Sequence, residues 1–211
     1  GIMKRFLFDH YTNLKAIGFD LDGTLYNEYD FVQQVYREIV RGLKLPAGEG
    51  AAVLKFMEER WLEKGSSYPY IFQETLELFP AVGEDFPAVA LAIYRGFRPS
   101  LMLEPAIRQM LEQIKEEKNG LFLVTDGRER LQNNKIDALG IRELFAKIII
   151  TGAFPKPDPR HGQEVLAAFQ CKPHEVLYVG DRDIDREFAR NCQFHFLPAQ
   201  ALRGDLLGGL P

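Results

Sequence analysis

The chain is 211 residues long, 46% hydrophobic and 27% charged, enough for one large core, or one core and a smaller satellite. Its formal net charge of −4 argues against non-specific nucleic-acid binding, which needs a basic surface. No apolar run approaches the roughly 20 residues of a membrane span. Cys171 and Cys192 have no metal-like spacing and are expected to be buried, unpaired thiols in a reducing compartment. The segment Gly1 to His10 lacks the long apolar core of a signal peptide, so the chain is expected to be unprocessed and cytoplasmic.

In chain order, Lys15 to Asp20 reads as a short strand. Tyr26 to about Ser100 reads as four helices and no strand. Phe31, Val35 and Ile39 recur at helical spacing, as do Val53, Leu54, Met57 and Trp61. Breaks fall at Leu45-Pro46-Ala47-Gly48, Gly65-Ser66-Ser67, Phe79-Pro80 and Arg98-Pro99. Trp61, Tyr68 and Tyr70 read as core of this segment. Arg37, Arg41, Arg60, Arg95 and Arg98 read as solvated helix faces.

Beyond Leu103 helices and strands alternate. Ile107, Met110, Leu111 and Ile114 form a stripe behind Pro105, a residue suited to a first helical position. Leu121 to Thr125 is a fully apolar strand of the buried parallel kind. A helix from Leu131 to Leu139 stops at Gly140, and the strand Lys147 to Ile150 follows. A helix near Gly162 to Phe169, the strand Val176 to Val179, a helix about Ile184 to Arg190 and a last strand about Phe194 to Leu197 complete the series. The Gly- and Leu-rich stretch Ala201 to Pro211 reads as a loosely held tail. Alternation of this kind predicts an α/β fold with a doubly wound parallel sheet. The roughly 75 residues after the first strand are too many for a loop and predict an inserted helical domain. The expected division is 1–25 with 101–211 as the α/β core and 26–100 as the helical insert, with hinges near Tyr26-Asn27 and Pro99-Ser100.

Ligands of open parallel sheets bind beyond the carboxyl ends of the strands. The first strand ends in Asp20-Leu21-Asp22-Gly23-Thr24. Carboxylates two apart point to opposite faces of a strand, and the glycine after them lets the chain bend so that both reach one site. The pair suits a metal, a covalent nucleophile or an acid/base couple. The second strand ends in Thr125-Asp126-Gly127, the third leads into Thr151 to Asp158 with Lys156 between two prolines, and the fourth ends in Gly180-Asp181-Arg182-Asp183-Ile184-Asp185. Four strand ends distant in sequence thus converge on carboxylates, a hydroxyl, a lysine and glycines. Asp126, Arg182 and Asp183 read as turn or helix-start residues rather than side-chain catalysts, with the Asp126 amide available to an anion.

These residues resemble the haloacid dehalogenase-like hydrolases. That family carries D-x-D-G-T, a Thr or Ser closing a strand, a loop lysine often followed by proline, and G-D-x-x-x-D. All four stand here in order: Asp20 to Thr24, Thr125, Lys156-Pro157, and Gly180 to Asp185. The chain departs from the pattern at Asp126, where Asn is common, at Pro155, where Gly is usual, and at Arg182, where a small residue is frequent. The resemblance implies a Rossmann-like core with a helical cap, and a Mg²⁺-dependent phosphatase acting on a small phosphorylated metabolite. It implies Asp20 as the nucleophile of an aspartyl-phosphate intermediate and Asp22 as general acid and base. Thr125, Asp126 and Lys156 are expected to bind the phosphoryl group. Mg²⁺ is expected on Asp20, Asp181 and the Asp22 backbone carbonyl, with Asp185 holding a metal-bound water.

Within that family an acid two residues beyond the nucleophile resembles the phosphatase and phosphomutase branches and disfavours the dehalogenases and phosphonatases. A phosphomutase, a catalytically silent binding protein and a phosphoacceptor receiver domain remain as alternatives, and oligomeric state is left open.

Overall fold

The computed structural model describes residues 11, 13–117 and 120–206. The segment Gly1 to His10 and residues 207–211 of the expected tail lie outside the described residues. Five parallel strands form one sheet: β1 (Ala16–Phe19), β2 (Gly120–Thr125), β3 (Lys147–Ile150), β4 (Val176–Gly180) and β5 (His195–Pro198), in the order β3-β2-β1-β4-β5. The α/β parallel fold read from the alternation is the observed one.

β1 is the central strand. Its four residues pair on one side with Gly120 to Leu123 and on the other with Val176 to Val179. A parallel strand enclosed in this way must be apolar on both faces, and all four β1 residues are buried. Gly18 has a packing reason: a Cβ there would lie 2.1 Å from ring atoms of Phe122. The register decides the site. Phe19 stands level with Leu123 and Val179, so Asp20 emerges at the sheet edge beside the ends of β2 and β4. The Asp20 amide donates to the Val179 carbonyl at 2.9 Å.

The helices of this half are α5 (Pro105–Glu116), α6 (Glu129–Leu139), α7 (Arg160–Phe169), α8 (Asp183–Cys192) and α9 (Ala199–Leu206). The α5 stripe Ile107, Met110, Leu111 and Ile114 is buried. α6 ends at Gly140 in the left-handed conformation, φ 65°, as a helix stop requires. Phe122, Val124, Ile149, Val165, Tyr178, Phe188 and Phe194 belong to one core cluster. The expected loose tail is corrected over residues 201–206, which belong to the helix Ala199–Leu206. Ala199 and Leu202 are buried, so an apolar face anchors the segment that its glycines and leucines suggested was a tail. Cys171 and Cys192 are free and half-buried rather than fully buried. Burial still pushes both thiols up, Cys192 to about 12.

The described residues divide into two compact units, one ending at Asn27 and resuming at Met102, the other Glu28–Leu101. The second unit is helical: α1 (Glu28–Gly42), α2 (Ala47–Lys64), α3 (Ile71–Leu78) and α4 (Phe86–Gly96). Phe31, Val35 and Ile39 are buried on α1, and Val53 and Met57 on α2. Its interior is aromatic, with Phe31 edge-on to Tyr94 and Phe72 edge-on to Phe86. Trp61 and Tyr68 line a cavity of about 400 Å³ with Tyr36, Phe72 and Tyr94, whereas Tyr70 is 57% exposed and is not core. Arg60, read as solvated, is held by Glu74 at 2.7 Å.

Gly18→Ala is expected to destabilise the protein by about 1–3 kcal/mol, since the new methyl overlaps the Phe122 ring in a close-packed layer. Urea denaturation measures this. An unchanged midpoint contradicts the packing.

Candidate active site

The chain leaves β1 through a tight turn. The Thr24 and Leu25 amides both donate to the Leu21 carbonyl, and Gly23 takes φ 79°. A Cβ at Gly23 would fall 2.2 Å from Asp181 Oδ2, so glycine is needed there for conformation and for space. The turn swings the two aspartates into different surroundings.

Asp20 points to the end of β4 and the loop after β3. Lys156 Nζ donates to Asp20 Oδ1 at 2.9 Å and to Asp185 Oδ1 at 2.8 Å. The same ammonium lies 2.9 Å from the Tyr178 hydroxyl and 3.1 Å from the Val124 carbonyl. The Lys156 and Asp185 side chains have no solvent exposure and that of Asp20 only 4%. Burial alone would lower the Lys156 ammonium. The charge of Asp20, with further contributions from Tyr178, Asp185 and Asp126, outweighs it and holds the group well above its ordinary value. Burial pushes the Asp20 carboxyl well above the carboxylate range; Lys156 pulls it down, and the nearby Asp185 and Asp22 charges push it up. Two buried carboxylates thus share a single ammonium.

Asp181 completes the cluster. One carboxylate oxygen each from Asp20, Asp181 and Asp185 lies within 4.8 Å of the others. Thr24 Oγ1 spans the gap, 3.4 Å from Asp20 Oδ2 and 3.3 Å from Asp181 Oδ1. A set of hard oxygens carrying excess buried negative charge fits a small dication such as Mg²⁺. Asp185 is also a helix cap, accepting from the Arg182 amide at 3.2 Å. Asp183 is exposed in the first turn of α8.

Asp22 turns the other way, toward α6. Tyr26 donates to its Oδ1 at 2.5 Å, Lys135 to Oδ1 at 3.0 Å and Gln132 to Oδ2 at 2.9 Å. Burial raises this carboxyl, but the Lys135 charge and the three hydrogen-bond donors prevail and hold it below the ordinary range. Its side chain is not part of the Asp20, Asp181 and Asp185 cluster.

Thr125 closes β2 and accepts a hydrogen bond from Gln132 Nε2 at 2.7 Å. Asp126, read as a turn residue, braces the next loop. Its Oδ1 accepts from the Thr151 hydroxyl at 2.7 Å and from the Lys156 amide at 3.0 Å. An aspartate at this place therefore helps to hold the lysine loop.

The family model of the haloacid dehalogenase-like hydrolases matches residues 17–199. The chain belongs to that family. It is 28% identical over 202 residues to the glyceraldehyde 3-phosphate phosphatase of Methanocaldococcus jannaschii, covering 90% of this chain and 86% of that protein. It is 27% identical over 195 residues to a phosphoglycolate phosphatase of Haemophilus influenzae, covering 86% and 84%. A HAD-superfamily hydrolase of subfamily IA, variant 1, from Geobacter sulfurreducens PCA shares the fold. The TM-score is 0.69 at 22% identity, over 88% of each chain.

Five residues of this hydrolase's site were not singled out from sequence: Tyr26, Gln132, Lys135, Tyr178 and Arg203. Tyr178 sat within an apolar strand, and its hydroxyl became meaningful only beside Lys156. Gln132 and Lys135 are three apart and so share a helix face, which polar residues usually turn to solvent. Arg203 reaches from α9 to the Gly23 carbonyl at 2.5 Å, bracing the turn after β1 from a segment read as tail.

Lys156→Met is expected to destabilise the fold by about 3–5 kcal/mol, because two buried carboxylates lose their counter-charge. Chemical denaturation measures it. A loss below about 1 kcal/mol contradicts the buried pairing.

Proposed function

We propose that this hydrolase is a phosphatase that cleaves a small phosphorylated metabolite through a covalent intermediate on Asp20, with Asp22 as acid and base. The observation that carries the reading is the separation of two carboxylates only two residues apart. Asp20 is packed against Lys156 in an acidic cluster, and Asp22 is held by three donors away from that cluster. Paired carboxylates in contrasting environments are suited to different roles in one reaction. The phosphatase names of the relatives from Methanocaldococcus jannaschii and Haemophilus influenzae support phosphate esters of small carbon compounds as the substrate class.

In this mechanism an Asp20 oxygen attacks phosphorus and the ester P–O bond breaks. The leaving oxygen takes a proton from Asp22. Asp22 rests as a carboxylate; a phosphate dianion arriving beside it raises its proton affinity, and it takes that proton from solvent before the ester is cleaved. In the second step Asp22 accepts a proton from water as the water oxygen attacks phosphorus. The bond to Asp20 then breaks and inorganic phosphate leaves. The Thr125 hydroxyl and Asp126 amide bind phosphoryl oxygens, and Lys156 balances the charge that phosphate adds beside Asp20. Asp20, Asp181, Asp185 and the Asp22 carbonyl would hold Mg²⁺, which when bound supplies positive charge to the carboxylates and the phosphoryl oxygens. We assign the helical unit Glu28–Leu101 the cap role that the family resemblance implies.

The test is phosphate release from 2-phosphoglycolate, glyceraldehyde 3-phosphate, a wider set of sugar and nucleotide phosphates and p-nitrophenyl phosphate, with and without Mg²⁺. Turnover is expected to require the divalent ion, and Asp20→Asn is expected to lower it by about 10³-fold or more while remaining folded. Undiminished release by Asp20→Asn, or no release from any ester by wild type, contradicts the reading.

A further inference from the structure

The inner face of α6 carries a charge and an amide that no step above uses. Gln132 and Lys135 are each 2% exposed, on a helix whose other inward residues, Leu131, Ile136 and Leu139, are apolar. Burying an ammonium costs several kcal/mol unless a partner repays it, and apolar residues of similar size at such positions are often neutral or stabilising. A helix face serving packing alone would therefore carry Leu or Met here.

The contacts indicate a different purpose. The two Nε2 hydrogens of Gln132 go to Asp22 Oδ2 at 2.9 Å and Thr125 Oγ1 at 2.7 Å. One amide thus ties the proposed acid and base to the proposed phosphate anchor. Lys135 at 3.0 Å and Tyr26 at 2.5 Å both donate to Asp22 Oδ1. Two donors saturate that oxygen, since each carboxylate oxygen offers about two lone-pair directions. Oδ2 holds the Gln132 amide on one side. Gly127 is shaped to the arrangement, since a Cβ there would lie 3.2 Å from Gln132 Cγ in a backbone of φ 123°.

We propose that Gln132 and Lys135 are positioning residues of the reaction. They fix the Asp22 rotamer and its distance from Thr125, so that Oδ2 is the oxygen that hands its proton to the leaving group. The inference rests on the phosphatase reading and deepens it. Neither side chain reacts. Both act through Asp22, and their loss falls on the step in which its proton moves to the ester oxygen as the P–O bond breaks.

That dependence separates positioning from structure. An alkyl phosphate expels a basic alkoxide and needs the proton. p-Nitrophenyl phosphate expels a phenolate stable without one. The experiment measures single-turnover ester cleavage by wild type, Lys135→Met, Gln132→Met and Lys135→Arg, on p-nitrophenyl phosphate and on the alkyl phosphate that wild type turns over fastest. Circular dichroism confirms the folded state.

Each methionine variant is expected to lose about 10²-fold or more in the cleavage rate of the alkyl ester. The loss on p-nitrophenyl phosphate is expected to stay below about tenfold. Lys135→Arg is expected to recover most of the alkyl rate. Gln132→Met removes no charge, so it keeps the test decisive if Lys135→Met does not fold. Equal losses on both esters, or no loss on either, overturn the positioning role and leave the phosphatase reading intact. A wild type that cleaves no alkyl phosphate overturns both.

Discussion

An ammonium group cut off from water stays charged only if its surroundings replace what hydration supplied. The Lys156 side chain has no solvent exposure, and its nitrogen meets two carboxylates, a phenol and a backbone carbonyl within 3.1 Å. Those partners come from the residue after β1, from within β2 and β4, and from the first turn of α8. One cation therefore joins four pieces of chain that the sheet register has already aligned. The rest of the site follows from this constraint. Two acidic groups on this lysine and a third, Asp181, beside them leave a net negative pocket, which suits a divalent cation and then a phosphoryl group. The loop carrying Lys156 is held in turn by Asp126, through the lysine's own amide.

The second half of the site is organised on the opposite principle. Asp20 sits where burial disfavours its charge, and Asp22 sits where donors favour it. A turn of five residues, opened by Gly23 and braced by Arg203, produces that contrast. α6 supplies the donors at some expense in stability, since Gln132 and Lys135 occupy places where apolar side chains would pack. The fold is thus least optimised for stability where the proposed chemistry is concentrated, as strained or polar functional sites generally are.

Much of this was legible in the sequence because sheet physics is regular. An apolar run with glycine and acid at its carboxyl end reads as a buried parallel strand opening onto a site, and Asp20, Thr125 and Asp181 were found by that rule. The strand Lys147–Ile150 was read with its observed bounds, whereas the helix read near Gly162 begins at Arg160, since first turns carry little apolar signal. Gln132, Lys135 and Tyr178 escaped because their meaning lies in partners more than 20 residues away: Asp22 for the first two, Lys156 for the third. A lysine on a helix ordinarily faces water, and nothing in its neighbours' identities marks it as buried. The helix Ala199–Leu206 escaped for the converse reason. Its glycine and leucines resemble a tail until Leu202 finds the core.

The most direct test of the account is to trap the intermediate. The enzyme, turning over its best substrate, is quenched with borohydride, which reduces an aspartyl phosphate to homoserine, and the digested protein is sequenced by mass spectrometry. The account predicts homoserine at position 20 and at no other aspartate, dependent on substrate. Turnover with an unmodified Asp20, or homoserine at another position, contradicts it.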